Sequence, residues 1–174
     1  MINIKKPFLI QDLLSENELN ELKSAIKNTL ESGKYLLEDS IGRKSFQMNV
    51  CQKMEDVLFS LHDKAKEAFE SYTLLPTYAF FAEYYNEKSC LPKHKDNAGN
   101  TYNINLSLYA EKPWPIFVEG DEFSFGVNEA VCLYGEDQEH WREPMGANNI
   151  VGNVFFFYAE PDHPFFTDPN FDKN

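Results

Sequence analysis

The segment Tyr102-Asn-Ile-Asn-Leu-Ser-Leu-Tyr109 alternates strictly, with Tyr102, Ile104, Leu106 and Leu108 on one face. A period of two fits a half-buried strand and is incompatible with a helix, whose apolar stripe recurs every three to four residues. Further short segments rich in aromatic and β-branched residues stand around it, at 78–85, 115–119, 122–125, 129–134 and 153–158. Brief turns separate them, such as Gly120-Asp121 between the segments at 115–119 and 122–125, a hairpin signal. Aromatic residues make up 15% of the chain, which suits thick packing between sheets.

The chain before residue 77 is written differently. Ser15-Glu16-Asn17-Glu18 is a capping box. Leu19, Leu22, Ala25, Ile26 and Leu30 then follow at helical spacing and Gly33 closes the run, predicting a helix over 16–32. Met54, Val57, Leu58, Leu61, Ala65 and Phe69 predict a second helix over 51–71, with His62 as a surface or packing residue. Residues 3–10 read as a short strand. Residues 34–49 carry no sustained period and read as a loop, with a short strand around Phe46, in a position suited to border a substrate. The tail after Pro161 reads as a packed or frayed extension in which His163 is structural or solvent-facing. The expectation is one domain over 1–174, mainly β with supporting helices. Helical support spans about 11–72 and a β core about 77–160, together a β-sandwich or jelly roll backed by two N-terminal helices.

Sixteen Lys and Arg against 28 Asp and Glu give a net charge of −12. That balance argues against nucleic acid, which requires clustered cations, and against an anionic membrane surface. A small molecule or a peptide is the expected partner. Three cysteines without metal-type spacing suggest reduced thiols. The N-terminus lacks the apolar run of a signal peptide, and no stretch reaches the roughly 20 apolar residues that span a bilayer. A cytoplasmic protein is expected.

Leu91-Pro-Lys-His94-Lys-Asp96 and Tyr134-Gly-Glu-Asp-Gln-Glu-His140-Trp-Arg142 carry the chemistry. On a strand, His94 and Asp96 share a face, and His140 arrives on what reads as another strand. Two imidazoles and one carboxylate are the ligand set of a facially bound Fe(II) that keeps positions open for co-substrate and oxygen.

His94-Lys-Asp96 together with Gly135-Glu-Asp-Gln-Glu-His140-Trp-Arg-Glu-Pro144 resembles the Fe(II)- and 2-oxoglutarate-dependent dioxygenases of the prolyl-4-hydroxylase-like branch. The resemblance covers roughly 78–160, and Trp114-Pro-Ile-Phe-Val-Glu-Gly120 resembles the family's hairpin before the second histidine. It implies a double-stranded β-helix, a cupin-like jelly roll, with His94, Asp96 and His140 as iron ligands. It also implies 2-oxoglutarate as co-substrate and hydroxylation of an amino-acid residue or small molecule, with release of succinate and CO2. Tyr85, nine residues before His94, matches a tyrosine that hydrogen-bonds the co-substrate carboxylate. Asn105 or Tyr102 are further candidates to face the cavity.

The chain departs from the family where a Lys or Arg is expected about ten residues past the second histidine. Ile150 stands there, and the nearest cation is Arg142, whose planar fork suits a carboxylate. Asn128-Glu129 replaces a Gly-Asp turn. Phe155, Phe156 and Phe157 either back the cavity or pack the core. Two other readings stay open at this point. One is a jelly-roll protein that binds metal or carboxylate without turnover; the other is a cupin-like metalloenzyme that uses no keto acid.

Overall fold

The structure is a computed structural model that describes residues 5–171. The strand read over 3–10 is confined to β1 (Phe8–Ile10), and residues 1–4 lie outside the described residues. The capping box forms as the sequence predicts: the Ser15 hydroxyl accepts from the Glu18 N–H, and the Glu18 carboxylate accepts from the Ser15 N–H. It opens helix α1 (Glu16–Glu31), which buries Leu19, Leu22 and Ile26.

Residues 34–49 correct the sequence reading. They form a hairpin of β2 (Leu36–Glu38) and β3 (Arg43–Gln47): the short strand expected around Phe46 is present as β3, and β2 stands where only loop was expected. Its two strands are clamped by Arg43, whose Nε and Nη2 donate to Glu38 at 2.6 and 2.8 Å. A bidentate ion pair supplies the pairing that an apolar alternation supplies elsewhere, so the hydrophobic pattern carried no signal of it. The second helix divides at Leu61 into α2 (Gln52–Ser60) and α3 (His62–Ala68). His62 opens α3, its Nε2 bonds the Leu74 carbonyl, and its ring stacks on Tyr158, which makes it a packing residue.

The β core comprises β4 (Leu75–Tyr84), β5 (Leu91–His94), β6 (Tyr102–Ala110), β7 (Ile116–Val118), β8 (Asp121–Phe123), β9 (Ala130–Leu133), β10 (His140–Arg142) and β11 (Val151–Ala159). A short helix, α4 (Pro164–Thr167), follows. The strands form two antiparallel sheets, ordered β1-β9-β6-β11-β4-β3-β2 and β5-β10-β7-β8. The turn between β7 and β8 places Glu119 and Gly120 at φ of 51° and 93°, the left-handed pair that a tight two-residue hairpin requires. Asn128 likewise holds φ of 66°, so the turn that elsewhere uses glycine survives here.

The large sheet is covered on one face by the helices and on the other by the small sheet. Ile104, Leu106, Phe81, Val154 and Phe156 pack with Leu22, Ile26, Met54 and Leu58 into one core. On the opposite face, Ile116 and Val118 of the small sheet meet Val131 and Leu133 of β9. The alternation of β6 therefore sends its apolar residues to the helices and its polar residues between the two sheets. Asn103, Asn105 and Ser107 are buried there, at 1–3% exposure. Polar side chains in the interior of a sandwich are costly unless something satisfies them. That interior is where the site lies. No helix among the described residues is long and apolar enough to cross a membrane. The three cysteines are unpaired.

Candidate metal centre

His94 is the last residue of β5 and pairs directly across from His140, the first residue of β10. Their ring centroids are 4.4 Å apart. Asp96 lies beyond the strand end, and its N–H donates to the Gly135 carbonyl at 2.8 Å, which turns its side chain back toward the imidazoles. Asp96 Oδ1 stands 3.6 Å from His94 Nε2 and 3.4 Å from His140 Nε2. Candidate ligand atoms of the three residues all fall within 4.8 Å of one another.

The orientation of each ring is fixed from behind. His94 Nδ1 bonds the Pro92 carbonyl at 2.7 Å, and His140 Nδ1 bonds the Gln138 carbonyl at 3.0 Å. A carbonyl only accepts, so both Nδ1 atoms carry the proton and both Nε2 atoms keep a lone pair for a metal. Asp96 Oδ2 accepts from Asn103 Nδ2 at 3.2 Å, leaving Oδ1 as the oxygen that faces the imidazoles. Burial pushes the Asp96 carboxyl up, yet the adjacent His140 and His94 rings, when protonated in the absence of a metal, prevail and hold it down at about 2. The bond to Asp96 raises the His94 imidazole against the opposing effect of burial. A carboxylate held ionised between two imidazoles, with both free nitrogens turned toward it, fits a divalent cation of borderline softness.

Gly135 makes this geometry possible. A Cβ there would sit 2.2 Å from Asp96 Oδ2 and 2.5 Å from the Asn100 carbonyl. The close approach here is one that only glycine permits.

The three residues lie at a cavity of about 420 Å³ between the sheets. Tyr78, Phe80, Phe155 and Phe157 form an aromatic wall, with Tyr78 and Phe157 centroids 4.8 Å apart. Phe155 and Phe157 thus line the cavity, whereas Phe156, between them in sequence, is part of the helix-facing core. Asn105 lines the cavity, but Tyr102 does not: it faces the helices, and its hydroxyl donates to Glu160 at 3.0 Å. Tyr85 is a correction. It follows the last residue of β4, its hydroxyl donates to Asp39 at 3.2 Å, and it stays outside the cavity. Strand alternation turns its neighbour Tyr84 inward instead, onto the cavity wall. Arg43, Gln47 and Asn103 also line the wall, and sequence reasoning missed them. For Asn103 the signal was present as the polar half of the β6 alternation.

Arg142 follows His140 by two on β10 and pairs across with Leu91, which lines the cavity; Arg142 itself lies behind that lining rather than in it. It is buried, with 4% exposure. One guanidinium nitrogen donates to the Trp114 carbonyl, and the group lies 4.7 Å from the Trp114 ring centroid and 5.5 Å from that of Phe125. No carboxylate pairs with it among the described residues, and its Nη2 has no partner. Burial lowers its basicity to about 10. Ile150 is 41% exposed and lies outside the cavity, so a cation at that position would meet solvent. His163 is structural: its Nε2 is 3.2 Å from Glu136, which also accepts from the Gly99 N–H and the Thr101 hydroxyl, both at 2.8 Å.

No family model and no curated protein matches the chain. Solved structures do. The non-heme alpha ketoglutarate dependent carbocyclase SnoK from nogalamycin biosynthesis superposes with a TM-score of 0.76 at 12% identity, over 90% of this chain and 80% of that one. A Pseudomonas putida prolyl-4-hydroxylase gives 0.72 at 12% identity, over 90% and 94% of the two chains. HygX from Streptomyces hygroscopicus, solved with nickel and 2-oxoglutarate bound, gives 0.72 at 8% identity, over 90% and 83%. The chain has the fold these oxygenases share, a jelly-roll double-stranded β-helix.

Proposed function

We propose that the chain is an Fe(II)- and 2-oxoglutarate-dependent dioxygenase that hydroxylates an amino-acid residue or a small molecule. The observation that carries this reading is the convergence of His94, Asp96 and His140 with both Nε2 atoms free and both Nδ1 atoms tied to carbonyls. Similar folds hold 2-oxoglutarate and a metal in HygX, which supports the same pairing here.

His94, Asp96 and His140 would hold the iron. When bound, iron and 2-oxoglutarate together supply oxygen activation: one oxygen atom goes to succinate, formed with CO2, and the other to a substrate C–H, which becomes C–OH. The chain's own residues bind, orient and shield. Arg142 is the anchor for the distal carboxylate, since it is the buried cation without a counter-ion next to the metal ligands. Successive same-face positions on a strand are roughly 6.7 Å apart, which suits a five-carbon diacid reaching from the His140 level to the Arg142 level. Tyr84, rather than Tyr85, would add a hydroxyl at that end, a reading supported by its position on the cavity wall. The charges also close: two positive on iron and one on Arg142 balance one negative on Asp96 and two on the keto acid. Tyr78, Phe80, Phe155 and Phe157 exclude water from the reacting region.

Under air, the iron-loaded protein is expected to convert 2-oxoglutarate to succinate, slowly without primary substrate, and His140→Ala is expected to abolish this. Iron-loaded, folded protein that forms no succinate under any substrate mixture would defeat the proposal.

A further inference from the structure

Five buried side-chain atoms lack a hydrogen-bond partner among the described residues: Asn100 Oδ1, Asn103 Oδ1, Asn105 Nδ2, Asn153 Oδ1 and Arg142 Nη2. They are not scattered. Asn100, Asn103 and Asn105 line the cavity, Asn153 bonds Asn105, and Arg142 is two residues from a metal ligand. A buried polar group without a partner is disfavoured, so such a cluster marks the place where a ligand completes the bonding.

Only two of the five are donors, and they come from opposite walls. Arg142 belongs to the small sheet, at the next inward position after His140. Asn105 belongs to the large sheet, at the next inward position after Asn103, which holds Asp96. Each donor is therefore one inward step from the metal level along its own sheet. The orientation of the Asn105 amide is set by a neighbour: Asn153 Nδ2 donates to Asn105 Oδ1 at 2.9 Å. With its oxygen engaged, Asn105 presents its NH2 as a donor. The register break between Gly152 and Asn153 on β11 brings Asn153 opposite Ser107 and into the interior, where it makes this bond.

We propose that Asn105, held by Asn153, is a second binding residue for the distal carboxylate of the keto acid, so that Arg142 and Asn105 clasp it from the two sheets. This deepens the function proposed above and rests on it. An anion with at least two acceptor oxygens satisfies both donors together, whereas a neutral chain end leaves the Arg142 charge uncompensated. The clasp also accounts for Ile150: a carboxylate held from β10 and β6 has no need of a cation at the start of β11.

The test compares two keto acids on the intact protein loaded with Co(II) under argon. 2-Oxoglutarate carries the distal carboxylate and pyruvate lacks it, while both present the same chelating end. Binding is read as a dissociation constant by calorimetry, which requires no turnover. Asn105→Leu is expected to raise the constant for 2-oxoglutarate about 10- to 100-fold, the loss typical of a hydrogen bond to a charged group, and to leave pyruvate unchanged. Asn153→Leu is expected to act in the same direction by releasing the Asn105 amide. Asn105→Asp keeps the shape and sets a carboxylate against a carboxylate, so it should weaken 2-oxoglutarate at least as much. Unchanged Co(II) affinity and absorption show that each variant retains the site. Equal weakening of both acids, or no weakening of 2-oxoglutarate, overturns the clasp while the function proposal stands. Failure of the unsubstituted protein to bind 2-oxoglutarate overturns both.

Discussion

Gly135→Ala isolates the link between backbone packing and metal binding. The added methyl would lie 2.2 Å from Asp96 Oδ2 and 2.5 Å from the Asn100 carbonyl. An ordinary carbon–oxygen contact is about 3.3 Å, so the carboxylate must retreat by roughly 1 Å. Backbone strain is not the cause, because Gly135 is absent from the positive-φ residues. Nor can the carboxylate simply swing away, since the Asp96 N–H is bonded to the Gly135 carbonyl and Oδ2 to Asn103. Metal sites tolerate ligand displacements of only about 0.2 Å, and disturbing the supporting contacts typically weakens affinity about 10- to 100-fold. Co(II) affinity by calorimetry is expected to fall by at least that factor in Gly135→Ala, with far-ultraviolet dichroism unchanged. Wild-type affinity in the folded variant would refute the reasoning, because it would mean that Asp96 Oδ1 does not depend on the placement of Oδ2.

Arg142→Met should separate stability from binding. It removes a buried unpaired charge, so the metal-free protein should melt at the same temperature or a few degrees higher, while 2-oxoglutarate affinity drops; a lower melting temperature contradicts the reading of an unpaired guanidinium. Tyr84→Phe should weaken 2-oxoglutarate and Tyr85→Phe should not, as calorimetry on the Co(II) protein will show; the reverse result would restore the sequence assignment. The Asp96 carboxyl is depressed from 3.8 to about 2, so its contribution, on the order of 2 kcal/mol, is present above the unfolded value and lost as pH falls toward 2. Asp96→Asn should therefore flatten the acid limb of a melting curve followed from pH 5 downward; an unchanged limb counts against the depressed carboxyl. His94 has the opposite sign: its raised basicity stabilises the metal-free fold at low pH and is lost as pH rises, while metal binding requires the neutral ring. Co(II) affinity should thus decline as pH drops below neutrality, measured by titration at fixed ionic strength.

The strands and the helix caps were legible because local chemistry dictates them. Ser15 and Glu18, three apart, satisfy one another's backbone N–H groups at the helix start, and the period of 102–109 fits a strand. The candidate ligands were legible as a residue set, but the condition for His94 and Asp96 to share a face, that both lie on one strand, is not met. His94 and Asp96 do not share a strand face: Asp96 lies past the strand end and is folded back by Gly135. Tyr84 lines the cavity and Tyr85 does not, because β4 ends at Tyr84, and strand termini depend on tertiary pairing rather than composition. The hairpin of β2 and β3 is stabilised by the Glu38–Arg43 ion pair and by joining β4, neither of which has a hydrophobic period. The asparagines of β6 were visible as the polar half of an alternation. An alternation says which residues share a face, but not that the polar face will be enclosed. Only the second sheet does that, by turning Asn103 and Asn105 into the lining of a cavity.

The proposed iron site is one that His94, Asp96 and His140 hold and that 2-oxoglutarate can chelate. Its most direct test is an anaerobic titration of the Fe(II)-loaded protein with 2-oxoglutarate, followed by visible absorption. A charge-transfer band is expected that saturates at one equivalent and is absent from His94→Ala. Stoichiometric iron with no such band at any concentration of 2-oxoglutarate would contradict the account.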